Sequence, residues 1–297
     1  MEINEETLRL YLEYCHYGKN LSPLTLKAYE LDLKGFLLFM RKKTGSGNID
    51  KELIKSYIKH LFDHSLKEAS IKRKAISLKA FFTYLESEGF LELNPFSGLR
   101  LSIRIPKKLP VVMSMADISK LINLPKNELE KKKKCVLDKI DFASCTDSKE
   151  IQLLQNLLII ELLFATGMRV RELSNLDVDD LDIVREAIKV NGKGSKQRIL
   201  PIPNKNISKM LSEFIKLRVQ QNDGVMFLFK NRLNRRLDTQ SIRAIVRKYS
   251  VKAELRNRIT PHVFRHTVAT MLLENGTDIT RLPGEILSAP RRRPRGP

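Results

Sequence analysis

Cysteine is scarce in this chain: Cys15, Cys135 and Cys145 are the only three in 297 residues. They are odd in number, far apart and have no histidines set around them. That argues against a disulfide framework and a zinc site, and suits a reducing cytoplasm. Long apolar runs are missing too. The longest is too short to span a bilayer, and the opening Met1-Glu-Ile-Asn-Glu-Glu6 lacks the basic-then-apolar order of a signal peptide. No membrane partner and a cytoplasmic location are therefore expected. Acidic residues are in short supply as well, 34 Asp+Glu against 54 Lys+Arg, which leaves a formal charge of +20. A cationic surplus of that size favours a polyanionic partner, and nucleic acid is the commonest one.

What is present is enough for two domains with cores of ordinary size. Residues 1–103 read as helices throughout. Leu8, Tyr11 and Leu12 recur at helical spacing up to Gly18, and Ser22-Pro23 opens a second helix with proline in its first turn. Asp50 is placed to cap a third. A fourth carries Ile71, Ala75, Leu78, Phe81, Phe82 and Leu85 toward the core. Four such helices pack as one bundle. Lys27 on the second helix, and Lys72, Arg73 and Lys79 on the fourth, lie off the apolar stripes. They are either a solvated face or contacts to DNA phosphates, and the net charge favours DNA. Residues 104–111, with Pro106 and Pro110, read as an extended linker, and the second domain as 112–297.

That domain opens with a helix from about Met115 to Asn123, followed at 126–149 by a charge-rich stretch read as a surface insertion. Leu157 to Ala165 reads as a buried helix that stops at Thr166-Gly167, where glycine takes backbone angles that other residues avoid. A short helix then carries Arg169, Arg171 and Glu172 before Leu173 and Leu176 dock on the core. An arginine pinned at such a junction is suited to grip two phosphate oxygens at once. A pair with Glu172 or Asp177 is the plainer alternative.

Ala187–Val190 and Ile199–Ile202 are short strand-like runs joined by Asn191-Gly-Lys-Gly-Ser-Lys-Gln-Arg198, which reads as a hairpin. A nucleotide-binding P-loop does not fit this turn, because Ala187 and Gly194 stand where glycine and Ser/Thr are required. Lys193 at the tip can instead reach into a site and give up a proton. Helices follow at Ile207–Gln220 and Thr239–Val251, the second with Arg243 and Arg247 on a basic face. In Arg258-Ile-Thr-Pro-His-Val-Phe-Arg-His266, Thr260 and Pro261 suit a helix start. His262 then falls in the first turn and Arg265 one turn on, where free N–H groups and the helix dipole favour an anion.

Taken in this order, Ala-Thr-Gly-Met-Arg169-Val-Arg-Glu-Leu, Gly-Lys193-Gly-Ser-Lys-Gln-Arg and Thr-Pro-His262-Val-Phe-Arg265-His-Thr resemble the tyrosine recombinases. These are the phage-integrase and Xer-like site-specific DNA recombinases, and the likeness covers roughly residues 5–280. It implies a mainly α protein: a four-helix core-binding (SAM-like) domain, then a mostly helical α+β catalytic domain with a small hairpin or sheet. It implies that Arg169 and Arg265 clamp the scissile phosphate and stabilise the transition state. Lys193 would serve as general acid and His262 would assist proton transfer, with Glu172 orienting nearby groups. Lys196, Arg198, Arg243 and Arg247 join Lys27, Lys72, Arg73 and Lys79 as expected DNA contacts. No metal or cofactor is implied. The partners are a duplex recombination site and further copies of the chain, as a homo-tetramer on DNA.

Two family positions are absent. Leu287 or Ser288 stands where a second histidine belongs, and no tyrosine follows Tyr249. Tyr249 itself lies before the His-x-x-Arg helix, beside Val246, and reads as packing. Without a nucleophile no 3′-phosphotyrosyl intermediate forms. The resemblance breaks after Asp278-Ile279 into a Pro/Arg-rich string. The expected reading is an altered or prematurely ended gene, with weakened tetramer assembly; a genuine basic tail is the alternative. Two functions are therefore carried forward: a site-specific recombinase by resemblance, and a cleavage-deficient DNA binder at recombination sites.

Overall fold

Local capping sets the first helices. Asn4 accepts the N–H groups of Glu6 and Thr7 on its side chain, and Thr7 Oγ1 accepts the Asn4 N–H in return; the helix α1 (Glu5–Glu13) follows and winds into one π-helical turn at Tyr14–Gly18. Next come α2 (Pro23–Thr44), α3 (Lys51–Asp63) and α4 (Glu68–Ser87). Asp50 caps α3 by accepting the Leu53 N–H at 2.9 Å, as its spacing predicted. The computed structural model describes residues 3–44, 49–106, 111–133, 147–192, 197–202, 204–220 and 226–274. The chain divides into two units, Met1–Lys108 and Leu109–Pro297.

The first unit packs Tyr11, Phe36, Tyr57, Phe81 and Phe82 with Leu33, Ile54 and Ile71 in one buried cluster. Within it, Asp32 of α2 is buried and accepts from Lys74 Nζ at 3.0 Å and Ser77 Oγ at 3.1 Å, and from Arg73. A carboxylate so placed must be paired, and here the pairing ties α2 to α4. Burial, and then the Asp32 charge, push the Tyr57 hydroxyl up to about 12.

In the second unit the order is α5 (Met115–Lys133), α6 (Ser148–Thr166), α7 (Val170–Ser174), β1 (Leu181–Asp182), β2 (Ala187–Asn191) and β3 (Gln197–Pro201). Then come α8 (Lys205–Gln220), α9 (Thr239–Lys252) and α10 (Pro261–Glu274). The chain is thus mainly α with one small antiparallel sheet, ordered β1-β2-β3. Ile188 pairs with Leu200 and Asn191 with Gln197, so the expected hairpin is present and a short third strand is added at its β2 edge. Leu157, Leu158, Ile159, Ile160, Leu162 and Leu163 of α6 are fully buried. An apolar surface on every side makes α6 the centre of this unit.

One expectation needs correcting. Residues 126–133 are not loop: α5 continues past Asn123 and through Pro125 to Lys133. An interior proline removes one helical hydrogen bond. Here Leu121, Pro125 and Leu129, each one turn apart, are all buried, and that shared face carries the helix across. Lys132 pairs with Asp147 at 2.9 Å and Lys133 with Glu150 at 2.8 Å, which fastens α5 to the start of α6. At the other end Asp147 caps α6, which already includes Ser148 and Lys149; what is left of the expected insertion, 134–146, lies outside the described residues.

Candidate active site

The site begins where α6 ends. Gly167 is left-handed (φ 60°) and its N–H donates to the Leu163 carbonyl at 3.2 Å. A Cβ built there would meet Val268 Cγ1 at 3.3 Å, so both the backbone angle and the approach of α10 call for glycine. The Gly167 carbonyl then faces α10, where Arg265 Nη1 donates to it at 3.0 Å.

Two residues on, Arg169 caps α7 in an extended conformation. Its N–H donates to Glu172 Oε2 at 2.7 Å and its Nη1 to Oε1 at 3.0 Å. Arg198 of β3 grips the same carboxylate with both terminal nitrogens, at 3.0 and 2.8 Å. Burial pushes the Glu172 carboxyl up, but hydrogen bonds from Arg198 and Arg169 outweigh it, and the net result lies below the ordinary glutamate value. Glu172 is therefore an anion shared by two arginines. Asp177, the other partner considered for Arg169, pairs with Arg236 at 2.8 Å.

Helix α10 supplies the remaining groups. Its first turn is set by the Thr260 carbonyl, which accepts from Val263 and Phe264. Val263, Phe264, Val268 and Ala269 bury one side. Thr267, also buried, donates to the Val263 carbonyl and accepts the Met113 N–H at 3.0 Å. His262 is exposed at the surface and Arg265 is buried. Partial desolvation lowers the His262 pKa first, and the neighbouring His266, Arg243, Arg265 and Arg169 lower it further. Cations that act on this histidine also suit an anion, and with its pKa held below the ordinary value the imidazole is able to take a proton.

The expected DNA contacts separate into groups. Lys193 and Lys196 lie outside the described residues. Lys27, Lys72 and Lys79 are exposed, as are Arg243 and Arg247, and Arg243 also donates to Thr239 Oγ1 at 3.2 Å. Arg73 is turned to Asp32, and Arg198 to Glu172, so both are engaged in ion pairs inside their own units. His266 was given no role from sequence; its spacing, one helical turn after His262, was the available signal. Tyr249 is fully buried, donating to Glu128 Oε2 at 3.0 Å and lying 3.4 Å from Asn156 Nδ2. Burial raises its pKa.

Residues 133–283 match the family model of the phage integrase family, and residues 8–89 that of the phage integrase N-terminal SAM-like domain. A tyrosine recombinase of Agathobacter rectalis is 33% identical over 273 residues, covering 91% of this chain and 83% of its own length. Tyrosine recombinase XerD of Staphylococcus aureus is 30% identical over 279 residues, covering 93% and 87%. Among solved structures, the XerH site-specific recombinase bound to palindromic difH substrate, a post-cleavage complex, matches with a TM-score of 0.68 at 21% identity, over 97% of this chain and 79% of that one. A lambda integrase tetramer bound to a Holliday junction matches with a TM-score of 0.65 at 14% identity, over 97% and 80%. These two share their fold with this chain. Among the described residues no helix is long and apolar enough to cross a membrane.

Proposed function

Because this chain belongs to the phage integrase family of tyrosine recombinases, we propose that it binds a recombination site in duplex DNA and grips one backbone phosphate with Arg169 and Arg265. The observation that carries this reading is how the two arginines are held: Arg169 is set by Glu172 and Arg265 by the Gly167 carbonyl. Guanidinium forks held from behind are oriented before the anion arrives, which is what stabilising a pentacovalent phosphorus centre demands. Lys193 would protonate the leaving 5′-oxygen and His262 would pass the nucleophile's proton. The setting is the cytoplasm, and further copies of the chain assemble on the DNA.

The cutting step needs a hydroxyl nucleophile. No tyrosine follows Tyr249 in these 297 residues, and the Tyr249 hydroxyl is tied to Glu128. These 297 residues therefore supply binding at a recombination site, and strand cleavage would need a nucleophile that they do not contain. To test it, duplexes retained by the chain would be selected from a random pool and rebuilt with a nick beside each candidate phosphate. Selective binding with no covalent adduct on a denaturing gel is expected. An adduct would overturn the cleavage-deficient reading, and absence of any selected sequence would sink the site-binding one.

A further inference from the structure

Arg198 is the cation whose surroundings differ most from expectation. Its Nη1 and Nη2 reach Oε1 and Oε2 of Glu172 as a parallel fork, its side chain is only 19% exposed, and its Nε is buried with no hydrogen-bond partner. Arg169 meets the same carboxylate with one Nη and its backbone N–H, and keeps 35% of its side chain exposed.

We propose that Arg198 is a positioning residue rather than a DNA contact: through Glu172 it fixes Arg169 and fastens strand β3 to the arginine junction. The proposal rests on the reading of Arg169 as a phosphate ligand. Two physical consequences support it. A bidentate fork defines the plane of the carboxylate, and the Arg169 guanidinium is aimed from that plane. Charge is the second. An incoming phosphate has to compete with the Glu172 carboxylate for the Arg169 guanidinium. Arg198 puts a second cation on the same carboxylate and so weakens that competition, and the more exposed of the two guanidinium groups is Arg169.

The test uses the full chain labelled with 15N and 13C, inorganic phosphate as the anion, and a random-sequence duplex for backbone binding. In the unsubstituted chain the Arg198 guanidinium protons should exchange slowly with water. Arg198→Gln should raise the Glu172 titration midpoint and weaken phosphate binding at Arg169 at least about fivefold, since the carboxylate loses one of its cations. The slope of log K against log salt for the random duplex should stay unchanged. Arg198→Lys, a point charge that cannot fork, should recover only part of the phosphate affinity.

The proposal is overturned if Arg198→Gln lowers that slope by about 0.9, one phosphate's worth, and leaves the Glu172 titration where it was. Fast exchange of the Arg198 protons in the unsubstituted chain would also overturn it, and that measurement stands even if a variant fails to fold. Should the unsubstituted chain show no phosphate-induced shift at Arg169 or Arg265, the clamp reading fails by itself. The Glu172 titration and the Arg198 exchange would still decide whether Arg198 sets the junction.

Discussion

Arg265 Nη1 donates to the Gly167 carbonyl at 3.0 Å across 98 positions of sequence, joining a residue of the first turns of α10 to the residue that ends α6. Both ends of this bond are constrained. Arg265 is buried, and Gly167 is left-handed with its α-carbon against Val268. Gly167 at the junction and Arg265 of α10 are therefore one structural unit.

Gly167→Ala is expected to destabilise the second unit by about 1–2 kcal/mol. A left-handed alanine costs roughly 1 kcal/mol, and Val268 must give way to the new methyl. The check is a urea titration, in which the midpoint should fall at unchanged slope. Phosphate-dependent protection should weaken in parallel because the Arg265 acceptor moves. An unaltered midpoint would show that the turn relaxes without strain.

The fourth helix should separate two kinds of basic residue. Asp32→Ala is expected to cost about 2 kcal/mol, because Lys74 and Ser77 lose a buried acceptor, with the half-exposed Arg73 pair discounted for solvent screening. Arg73→Ala should likewise act mainly on stability. Lys72→Ala and Lys79→Ala should leave stability alone and each reduce the salt slope of duplex binding by about 0.9 if the residue meets a phosphate. The reverse pattern, with Arg73 changing the slope and neither lysine doing so, would reassign the face of this helix.

Much of this arrangement was legible in the sequence because it is local. The Asp50 cap, the apolar run of α6, the glycine stop at Gly167 and the His262/Arg265 spacing all involve residues within a turn or two of one another, where helical geometry alone dictates who meets whom. The Arg73–Asp32 and Arg198–Glu172 pairs join residues 41 and 26 positions apart. Nothing in the period of either segment names the partner, so both arginines read as surface cations. Helix α5 was cut short for a different reason. The stretch from 126 was read from its charge, and the burial of Pro125 in line with Leu121 and Leu129 is a tertiary fact that composition does not carry.

Two groups of the site, a carboxylate and an imidazole both favoured in their deprotonated forms, should mark the pH profile with the same sign. Glu172 lies below the ordinary carboxylate value in the fold. Its contribution is present above the unfolded value near 4.5 and is lost as pH falls through the lower folded one. His262 also lies below its ordinary value of 6.5, so the unfolded chain takes up its proton first and stability falls as pH drops below about 6.5. Glu172→Gln should flatten the acid limb and His262→Gln the limb just below 6.5, both read from denaturation midpoints between pH 7.5 and 3. A bound phosphate should raise the His262 midpoint by placing a negative charge among the cations. A fall on phosphate addition would place the anion elsewhere.

Tyr249→Phe isolates the one tyrosine that stands beside this unit's core and so tests whether it has any chemical part. Its hydroxyl donates to Glu128 Oε2 and lies within hydrogen-bond distance of the Asn156 amide, and Lys252 closes the group on Glu128. Asn156 Oδ1 is already buried without a partner, so removing the hydroxyl leaves a second polar atom of the same side chain unsatisfied. About 1–2 kcal/mol of destabilisation is expected. Duplex affinity and its salt slope should not change, because the ring is fully buried and its hydroxyl, held in the protonated form by burial, is turned to a carboxylate. On nicked duplexes the unsubstituted chain and the variant should both yield no adduct. An adduct present in the first and absent in the second would make Tyr249 the nucleophile and require α9 to open, an outcome that its packing between Asn156 and Glu128 opposes.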